Sequence, residues 1–446
     1  MIPFDNTYAS LGAPFVAPQS LRPVPSPSLL RFNEALARQL GTLDLATLES
    51  AQGAAVLAGA APAPGAQPVA MAYAGHQFGH FAIQLGDGRA MLLGEFLSAD
   101  GHRFDLHLKG SGATVFSRGG DGRAALGPVI REYVVSEFMG GLGIPTTRAL
   151  AIVRTGDTVL RQQGPEPGGV LARLAESHVR VGTFQYFAAR RDLASLRTLV
   201  DYVIDRHYPA LAEHETPTLA LYEAVCQRTA ELIARWQLIG FIHGVMNTDN
   251  VSIVGETIDF GPCAFMDAYQ ANKVFSSIDH QGRYAYANQP SIGAWNLGRL
   301  AEALLPLIDE DEKRAIAKVE GALEAYMKHV GVSLAGGWRA KLGLTLALDE
   351  DQSLAGRLLE IMERRQADFT RTFRALSNLA QRGNDGADDA LRAEFVSTRE
   401  LDQWLVDWRA RLAAEPQGDE LRQAAMRRVN PAFIPRNHQV EAAIRG

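Results

Sequence analysis

The sequence predicts an α+β fold in which a strand-rich N-lobe precedes a helical C-lobe and additional C-terminal helices. Three observations predict it. Short apolar runs separated by turn residues dominate 71–165, which is typical of strands. Apolar residues at helical spacing dominate 166–310, with one polar interruption, and helical patterns continue almost throughout 311–446. The remaining residues, 1–70, are interpreted as an N-terminal extension that packs on this core.

The composition argues against several classes of protein. The chain has 446 residues, 47% of them hydrophobic and 21% charged, as in ordinary globular proteins. Its net charge of -6, from 44 basic and 50 acidic side chains, argues against nucleic-acid binding as the main role. No apolar run is long enough for a membrane span, and the N-terminus does not resemble a secretory signal. With only two cysteines, Cys226 and Cys263, we expect a cytoplasmic protein, and a monomer is the default expectation.

The first third of the chain yields five predictions. Proline-rich residues 1–30 predict an extended arm, and apolar spacing predicts a helix from Arg31. The Ala-, Gly- and Pro-rich stretch 51–70 fits either a linker or a helix end followed by a packed loop. Two apolar runs around Gly86-Asp87-Gly88 predict a hairpin. The alternating segment RFDLHLKGSG predicts a strand that ends near Lys109.

The following elements are predicted in the same way. GPVIREYVVSEFMGGLGIP predicts a helix with Pro128 in its first turn. RALAIVRTGDTVLRQ predicts a second hairpin, around Thr155-Gly156-Asp157. LYEAVCQRTAELIARWQLIGF predicts an amphipathic helix, and another helix is expected from Trp295.

The polar interruption, HGVMNTDNVSIVGETIDFG at 243–261, carries the strongest chemical signal. Asn250 and Asp259 flank VSIVGETI, which we interpret as a short hairpin that brings an amide and a carboxylate together. Such oxygens can hold Mg²⁺ against nucleotide phosphates. A chance Asp-Phe-Gly turn is the alternative, but the combined pattern favours a bilobal protein-kinase-like fold. Val245, however, stands where a kinase carries its catalytic Asp.

Lys109 is the candidate phosphate-binding lysine. It ends a predicted strand between a glycine turn and a helix, where a lysine can reach phosphates and pair with a carboxylate of that helix. Glu132 is the expected partner and Glu137 the second choice. An unpaired surface lysine is the alternative.

Two glycine-rich segments could place backbone N–H groups against phosphates. The first contains Gly86, Gly88 and Arg89, and the second contains Asp121 and Gly122. Each is also an ordinary turn sequence, so neither is specific alone.

Two arginines, Arg173 and Arg180, are the basic residues nearest the expected lobe junction. Their guanidinium groups suit phosphate oxygens, although a salt bridge with Glu176 or exposure to solvent is an equal alternative.

Asp249 is the carboxylate that remains near the motif once Val245 has replaced the usual base. The alternative is a loop-ordering Asp.

His76 and His80 have the spacing of a zinc pair but lack a third ligand, and the nearby glycines argue against a helix, so a metal site is not expected there. Cys263 is interpreted as a small buried residue rather than a redox group.

Several long segments of the chain resemble the selenoprotein O family. They are YAGHQFGHFAIQLGDGRA, DLHLKGSGATVFSRGGDGRAALGPVIREYVVSEFMGGLGIPTTRAL, HGVMNTDNVSIVGETIDFGPCAFMD and NPAFIPRNHQVEAAI, and the resemblance runs over nearly the whole chain. The resemblance implies a protein-kinase-like pseudokinase that AMPylates proteins. Such an enzyme transfers AMP from ATP to Ser, Thr or Tyr hydroxyls with Mg²⁺ or Mn²⁺, and binds ATP inverted relative to a kinase.

The resemblance also implies roles for individual residues. Asp249 would accept the proton, and Asn250 and Asp259 would bind the metal. Contacts to the nucleotide would come from Gly86, Gly88, Arg89, Lys109, Asp121, Gly122, Glu132, Arg173, Arg180 and Asp259. Inverted ATP would explain Val245, since no base is then needed beside the γ-phosphate.

One feature departs from the family. Many members carry a Cys or selenocysteine near the C-terminus, whereas this sequence has no Cys after Cys263. We expect either a truncated chain or one that lacks this redox element.

Two alternatives to protein adenylyl transfer remain open. A small-molecule phosphotransferase also fits the motif at 243–261, but Val245 argues against it. A non-catalytic ATP-binding scaffold is disfavoured because Lys109, Glu132, Asn250 and Asp259 form a complete set.

Overall fold

The computed structural model describes residues 1–162, 164–383 and 385–445. The strands are β1 (Val16–Pro18), β2 (Ser28–Phe32), β3 (Val69–Met71), β4 (Gly75–Gln77), β5 (His80–Ala82), β6 (Ala90–Leu97), β7 (Arg103–Lys109), β8 (Ala124–Ala125), β9 (Arg148–Arg161), β10 (Gly164–Ala175), β11 (Phe241–Ile242) and β12 (Ala264–Phe265). The helices are α1 (Glu34–Leu40), α2 (Leu45–Leu48), α3 (Ala51–Leu57), α4 (Leu126–Gly141), α5 (Val181–Ala189), α6 (Leu193–His207), α7 (Pro217–Leu238), α8 (Gln289–Ile308), α9 (Glu312–Leu342), α10 (Asp351–Arg365), α11 (Phe369–Leu376), α12 (Asp385–Arg392), α13 (Arg399–Leu412), α14 (Asp419–Val429) and α15 (Asn437–Arg445).

Within the described residues, one antiparallel sheet organises the N-terminal part of the chain. Its strand order is β1-β3-β6-β7-β10-β9-β2, with β8 paired to β10. Apolar side chains of α1–α3 pack into one core with β6, β7, β9 and β10, while Val129 of α4 packs against Ile152 and Leu171 of the sheet. Helices therefore cover the sheet, which explains why β6 is a nearly continuous buried apolar run.

The N-terminal extension is part of this sheet. The predicted extended arm contains β1 and β2, which pair with β3 and β9. The helix predicted from Arg31 begins instead at Glu34, because Arg31 belongs to β2 and the Asn33 side chain caps the helix by accepting from the Leu36 N–H at 3.2 Å. For 51–70, helix α3 followed by a packed loop is the correct alternative.

The predicted hairpin around Gly86-Asp87-Gly88 is wrong. Strand β5 pairs with β4, whereas β6 pairs with β3 and β7. The reason is the buried Asp87 carboxylate, which accepts from the Met71 N–H at 3.0 Å and holds the loop against β3.

The predicted hairpin around Thr155-Gly156-Asp157 is also wrong. Strand β9 runs through these residues, and its antiparallel pairing with β10 begins at Arg161 and Gly164 instead. The register with β10 shifts between Pro167 and Gly169, where Gly156 has a φ of 78°. The Gly-Asp pattern therefore marks a bulge, which uses the same positive φ as a turn.

Within the described residues, two large apolar cores hold most of the helices of the helical part. Helices α5–α9 share one core, in which α7 packs against both α8 and α9. The helices predicted for 221–241 and 311–446 are confirmed in their main extent, whereas α8 begins at Gln289 rather than Trp295. A second core, around Phe369, Phe373, Trp404 and Trp408, joins α9–α14.

Strands β11 and β12 close the polar stretch at its base, since Phe241 pairs with Phe265. The hairpin predicted at 251–258 is wrong. Ser252 bridges to Arg180 and Thr257 bridges to Thr146, so these residues pair with other parts of the chain rather than with each other.

The predicted order of a sheet-rich N-terminal region and a helical C-terminal region is confirmed. Among residues 1–162, 164–383 and 385–445, no helix is both long and apolar enough to cross a membrane.

Candidate active site

Three elements of the N-terminal region bring charged side chains together. Lys109 ends β7, and His107 precedes it by two residues, so both lie on one face of the strand. Arg173 of β10 stands directly opposite His107. Helix α4 follows β8 and carries Glu132 on its buried side. All four side chains are buried.

These side chains form a connected ion network. Lys109 Nζ donates to Glu132 Oε2 at 2.6 Å, and Arg173 Nη1 donates to Glu132 Oε1 at 2.9 Å. Lys109 also pairs with Asp259. The structure thus pairs Lys109 with Glu132, the expected partner. Glu137, the second choice, pairs with Arg148 at 2.8 Å and accepts from the Ala149 N–H, also at 2.8 Å.

The network continues to the buried Asp87. Arg173 Nε donates to His107 Nδ1 at 3.3 Å, and His107 Nε2 lies 3.0 Å from Asp87 Oδ2. Because an arginine only donates, His107 Nδ1 must accept, so the proton lies on Nε2 and points to Asp87. Burial lowers the pKa of His107, which is consistent with this neutral tautomer. Burial alone would raise the pKa of Asp87, but His107 and Arg180 hold it at about 2.

Asp259 lies at the end of the motif, in an unusual conformation. Its φ is 67°, and His243 Nε2 lies 2.9 Å from the neighbouring carbonyl of Ile258. Burial by itself raises the pKa of Asp259. Lys109, followed by Arg173 and Arg89, lowers this pKa by more than burial raises it, so the carboxylate is ionised.

Asn250 is oriented by one hydrogen bond. Its Nδ2 donates to the Val245 carbonyl at 3.0 Å, which leaves the amide oxygen Oδ1 available to a ligand. Val245 therefore contributes its backbone to the site rather than its side chain.

Asp249 differs from the paired carboxylates. Gln77 Nε2 donates to Oδ2 at 3.2 Å, while the buried Oδ1 has no hydrogen-bond partner among the described residues. Burial raises the pKa of Asp249 to about 6. Gly75 allows this close packing, since a Cβ there would lie 2.6 Å from Oδ1.

Arg180 lies between the two groups of side chains. Its Nη1 donates to the Asp249 carbonyl at 3.1 Å, and its Nη2 lies 3.9 Å from Asp87 Oδ1. The guanidinium stacks over the Tyr73 ring, with its Cζ 4.3 Å from the centroid. Among the described residues, this Nη2 has no hydrogen-bond partner. Neither Arg173 nor Arg180 forms an ion pair with Glu176, which lies near His207 and Arg228 instead.

The two glycine-rich segments pack against each other. Gly86 has a φ of 69° and lies against the Phe116 ring, where no Cβ would fit. Ser117 donates to the Gly88 carbonyl. Gly122 packs on the Gly112 backbone just as closely.

Asp121 is not brought into the ion network. It is exposed and accepts from Arg161 Nη1 at 3.0 Å.

A cavity of about 570 Å³ opens beside the ion network. Its lining includes Arg89, Lys109, Glu132, Phe260, Gly261 and residues of α15. The volume lies in the range of small-molecule sites. The cations on its wall make it suitable for an anionic ligand such as a nucleotide.

Sequence reasoning missed four residues of the site. Asp87 was treated only as part of a turn, and His107, Tyr73 and Gln77 were not considered. The alternation in β7 was an available signal for His107, because it faces the same side as Lys109. Gln77 carried no local signal, since it lies 172 residues from Asp249 in the chain.

Comparison with known proteins shows similarity over nearly the whole chain. The family model for protein adenylyltransferase SelO matches residues 1–446. The protein nucleotidyltransferase YdiU of Rhodopseudomonas palustris (strain BisB18) is 57% identical over 442 residues, which cover 99% of this chain and 89% of the relative. YdiU of Bradyrhizobium sp. (strain BTAi1) is 58% identical over 99% of this chain and 89% of its own length. YdiU of Rhizobium etli (strain CFN 42) is 57% identical, with 99% and 87% covered. The chain belongs to the SelO family of protein adenylyltransferases.

Proposed function

We propose that this protein transfers AMP from ATP to Ser, Thr or Tyr hydroxyls of other proteins and releases pyrophosphate. ATP as the substrate is consistent with the family. One observation carries the proposal: the apolar Val245 occupies the kinase base position, while the buried Asp249, with a pKa of about 6, has one oxygen without a partner among the described residues. We further propose a kinase-like fold in which ATP is inverted, so that the α-phosphate faces Asp249.

The cationic side chains suit the outer phosphates. Glu132 holds Lys109 and Arg173 in place, and Arg180 has a buried N–H group to offer. Charge-assisted hydrogen bonds from such groups stabilise the negative charge that develops on leaving pyrophosphate. Arg89 adds a further cation at the cavity wall. We assign the remaining nucleotide contacts to Gly86, Gly88, Asp121 and Gly122.

Asn250 and Asp259 fit a divalent cation. Asp259 is ionised, and the Asn250 amide is oriented so that its oxygen remains available. Mg²⁺ and Mn²⁺ prefer such oxygen ligands, and when bound the ion would neutralise phosphate charge. The carboxylate also keeps Lys109 oriented toward the cavity.

Asp249 would act as the general base. Its carboxylate accepts the proton of the acceptor hydroxyl, whose oxygen attacks the α-phosphorus. A new phosphorus–oxygen bond forms while the bond to the β-phosphate breaks and pyrophosphate leaves. Burial makes Asp249 a stronger base than an ordinary carboxylate, and Gln77 orients it.

Differentially labelled ATP tests the proposal. The protein is incubated with Mg²⁺ or Mn²⁺, a heat-treated cell extract as mixed acceptor, and ATP labelled at either the α- or the γ-phosphate. We expect the α-label on protein, and its loss in Asp259→Ala. The γ-label on any acceptor would instead support a phosphotransferase, and neither label would support a scaffold.

Two further expectations belong to this proposal. The thiols of Cys226 and Cys263 are free and buried, which fits a reducing compartment such as the cytoplasm. The monomeric state is tested by light scattering after size-exclusion chromatography.

A further inference from the structure

The β4–β5 hairpin (75–82) is attached directly to the loop that carries Asp249. The His76 N–H donates to Thr248 Oγ1 at 2.7 Å, and the Phe78 N–H donates to Asn247 Oδ1 at 3.1 Å. Gln77 contacts Asp249 itself, at 3.2 Å. One side of the hairpin therefore positions the proposed base.

Apolar side chains on and just after the hairpin face solvent. Phe81 is 43% exposed and Ile83 is 55% exposed. Arg190 donates to the Ile83 carbonyl at 3.0 Å, which fixes this strand end against α5. The core of the fold does not account for these two exposed side chains.

Two arginines lie beside the hairpin, both in contact with Trp295. We call Arg283, Trp295 and Arg299 the arginine–tryptophan cluster. The Cζ atoms of Arg283 and Arg299 lie 4.5 Å and 5.1 Å from the Trp295 ring, within the range of cation–π contacts. His76 meets the same ring edge-on at 5.2 Å, so the cluster and the hairpin are in contact.

The arginines of the cluster offer hydrogen-bond donors. Within residues 1–162, 164–383 and 385–445, the buried atoms Arg283 Nε, Arg283 Nη2 and Arg299 Nε have no hydrogen-bond partner. Arg299 Nη2 forms an ion pair with Glu302 at 2.6 Å. This carboxylate therefore does not neutralise the charge of Arg283. Buried donors without acceptors are unfavourable, so the cluster favours a ligand that supplies anionic oxygens.

A cavity of about 270 Å³ lies between the hairpin and helices α5 and α8. Its lining includes His76, Phe81, Gln185, Arg299 and Glu302. Apolar groups and the Arg299–Glu302 ion pair thus share one opening, next to the loop of Asp249.

We propose that this surface docks the acceptor protein, and that it selects hydroxyl side chains flanked by Asp or Glu and by an apolar residue. The inference rests on the proposed function, because it assumes that the acceptor hydroxyl reaches Asp249. Charge complementarity favours a carboxylate-bearing segment over a basic one, and the continuity from Arg299 through His76 and Gln77 to Asp249 places it at the base. Arg283 and Arg299 are specificity-determining residues here and have no part in the transfer step.

Peptide binding and AMP transfer test the inference together. The probe is a fluorescein-labelled peptide with a central tyrosine flanked by aspartates and a leucine, compared with the same peptide carrying asparagines. Wild type is compared with Arg283→Gln/Arg299→Gln and with a matched control, Arg154→Gln/Arg399→Gln, which changes exposed arginines of β9 and α13. Anisotropy reports Kd in the presence of a non-hydrolysable ATP analogue, and mass spectrometry reports transfer from ATP.

We expect the acidic peptide to bind wild type and the control at least about tenfold more tightly than the neutral one, the size of one or two charge-assisted hydrogen bonds. The cluster variant should lose this preference, while its Tm and its affinity for ATP stay unchanged. Phe81→Ser should weaken both peptides by a smaller factor.

The outcomes separate the inference from the proposed function. Cluster-dependent binding of the acidic peptide without AMP transfer would support the docking site and overturn the proposed function. AMP transfer with equal kcat/KM for both peptides, or a preference retained in the cluster variant, would overturn the docking site. Equally tight binding of a single-stranded oligonucleotide that competes with the peptide would overturn its assignment to a protein acceptor.

Discussion

Buried carboxylates have opposite surroundings in the ion network around Lys109 and in the loop around Asp249. In the network, Lys109 and Arg173 share Glu132, and Lys109 also holds Asp259. In the loop, Asp249 accepts one hydrogen bond at 3.2 Å, and its other oxygen has no partner among the described residues. The pKa of Asp259 is accordingly lowered, whereas that of Asp249 is raised to about 6. Two aspartates of one motif are thus separated into a group that binds charge and a group that can take a proton.

The largest expected effect comes from removing the proposed base. Asp249→Asn should lower the AMP-transfer rate by about 10²–10⁴-fold, the usual contribution of general-base catalysis. It should not lower the free energy of unfolding, because the amide removes an unpaired buried carboxylate. Single-turnover transfer and thermal unfolding measure the two effects. Asp201→Asn, at an exposed position of α6, is the control. A transfer rate within twofold of wild type would refute the base assignment.

Removing the centre of the ion network should, unlike Asp249→Asn, lower the stability of the fold. Glu132→Gln should destabilise the fold by about 3–5 kcal/mol, because Lys109 and Arg173 lose their common buried counter-charge. Urea unfolding measures the change. The control is Glu34→Gln, whose exposed pair with Arg38 should contribute less than about 1 kcal/mol. Equal losses in the two variants would show that the network does not stabilise the fold.

The pH dependence sharpens the same contrast. Transfer requires ionised Asp249, so the rate should rise with pH through about 6 and level off above it. Stability should change in the other direction. In the folded protein the pKa of Asp249 is raised above its ordinary value of 3.8. The stabilisation that the bound proton gives to the fold is therefore complete below pH 3.8. It is lost as pH rises through about 6, which amounts to about 3 kcal/mol.

Rate and unfolding profiles measured between pH 4 and pH 8 test both halves of this prediction. Asp249→Asn should flatten each of them. A rate profile of unchanged shape in that variant would assign the titration to another group.

The smallest effect on transfer is expected at the cysteines, which are buried and have no proposed catalytic role. Burial raises the pKa of both Cys226 and Cys263 to about 12. Neither thiol should therefore react with iodoacetamide at pH 8 in the folded protein, and both should react in urea, as mass spectrometry can show. Cys263→Ser should leave transfer within about twofold, because the substitution is small and the thiol has no role in the proposed transfer step. Rapid alkylation of folded protein would contradict this burial.

Much of the site could be predicted from local sequence. The alternation that ends at Lys109 and the helical period around Glu132 predicted their elements, and the structure pairs the two residues. The Asn250 and Asp259 motif was equally visible. These signals are local because a strand and a helix each present residues at a fixed spacing.

Other features were decided by contacts between distant residues. Gly-Asp patterns at Gly86 and Gly156 predicted hairpins, but one forms a packed loop and the other a bulge, because both use the same backbone conformations as a turn. Which strands pair depends on partners far along the chain. The contacts of Asp87 with His107, and of Gln77 with Asp249, belong to the same class.

The sequence by itself determined which charged groups this protein possesses and which of them lie on the same strand, helix or motif. Only the tertiary structure decided their ionisation. Asp249 and Asp259 are the same residue type in one motif, yet burial outweighs the nearby Arg180 and raises the pKa of Asp249, whereas a buried lysine lowers the pKa of Asp259. The physical reason is that a carboxylate's charge is stabilised by whatever replaces water around it, and that depends on residues brought from elsewhere in the chain.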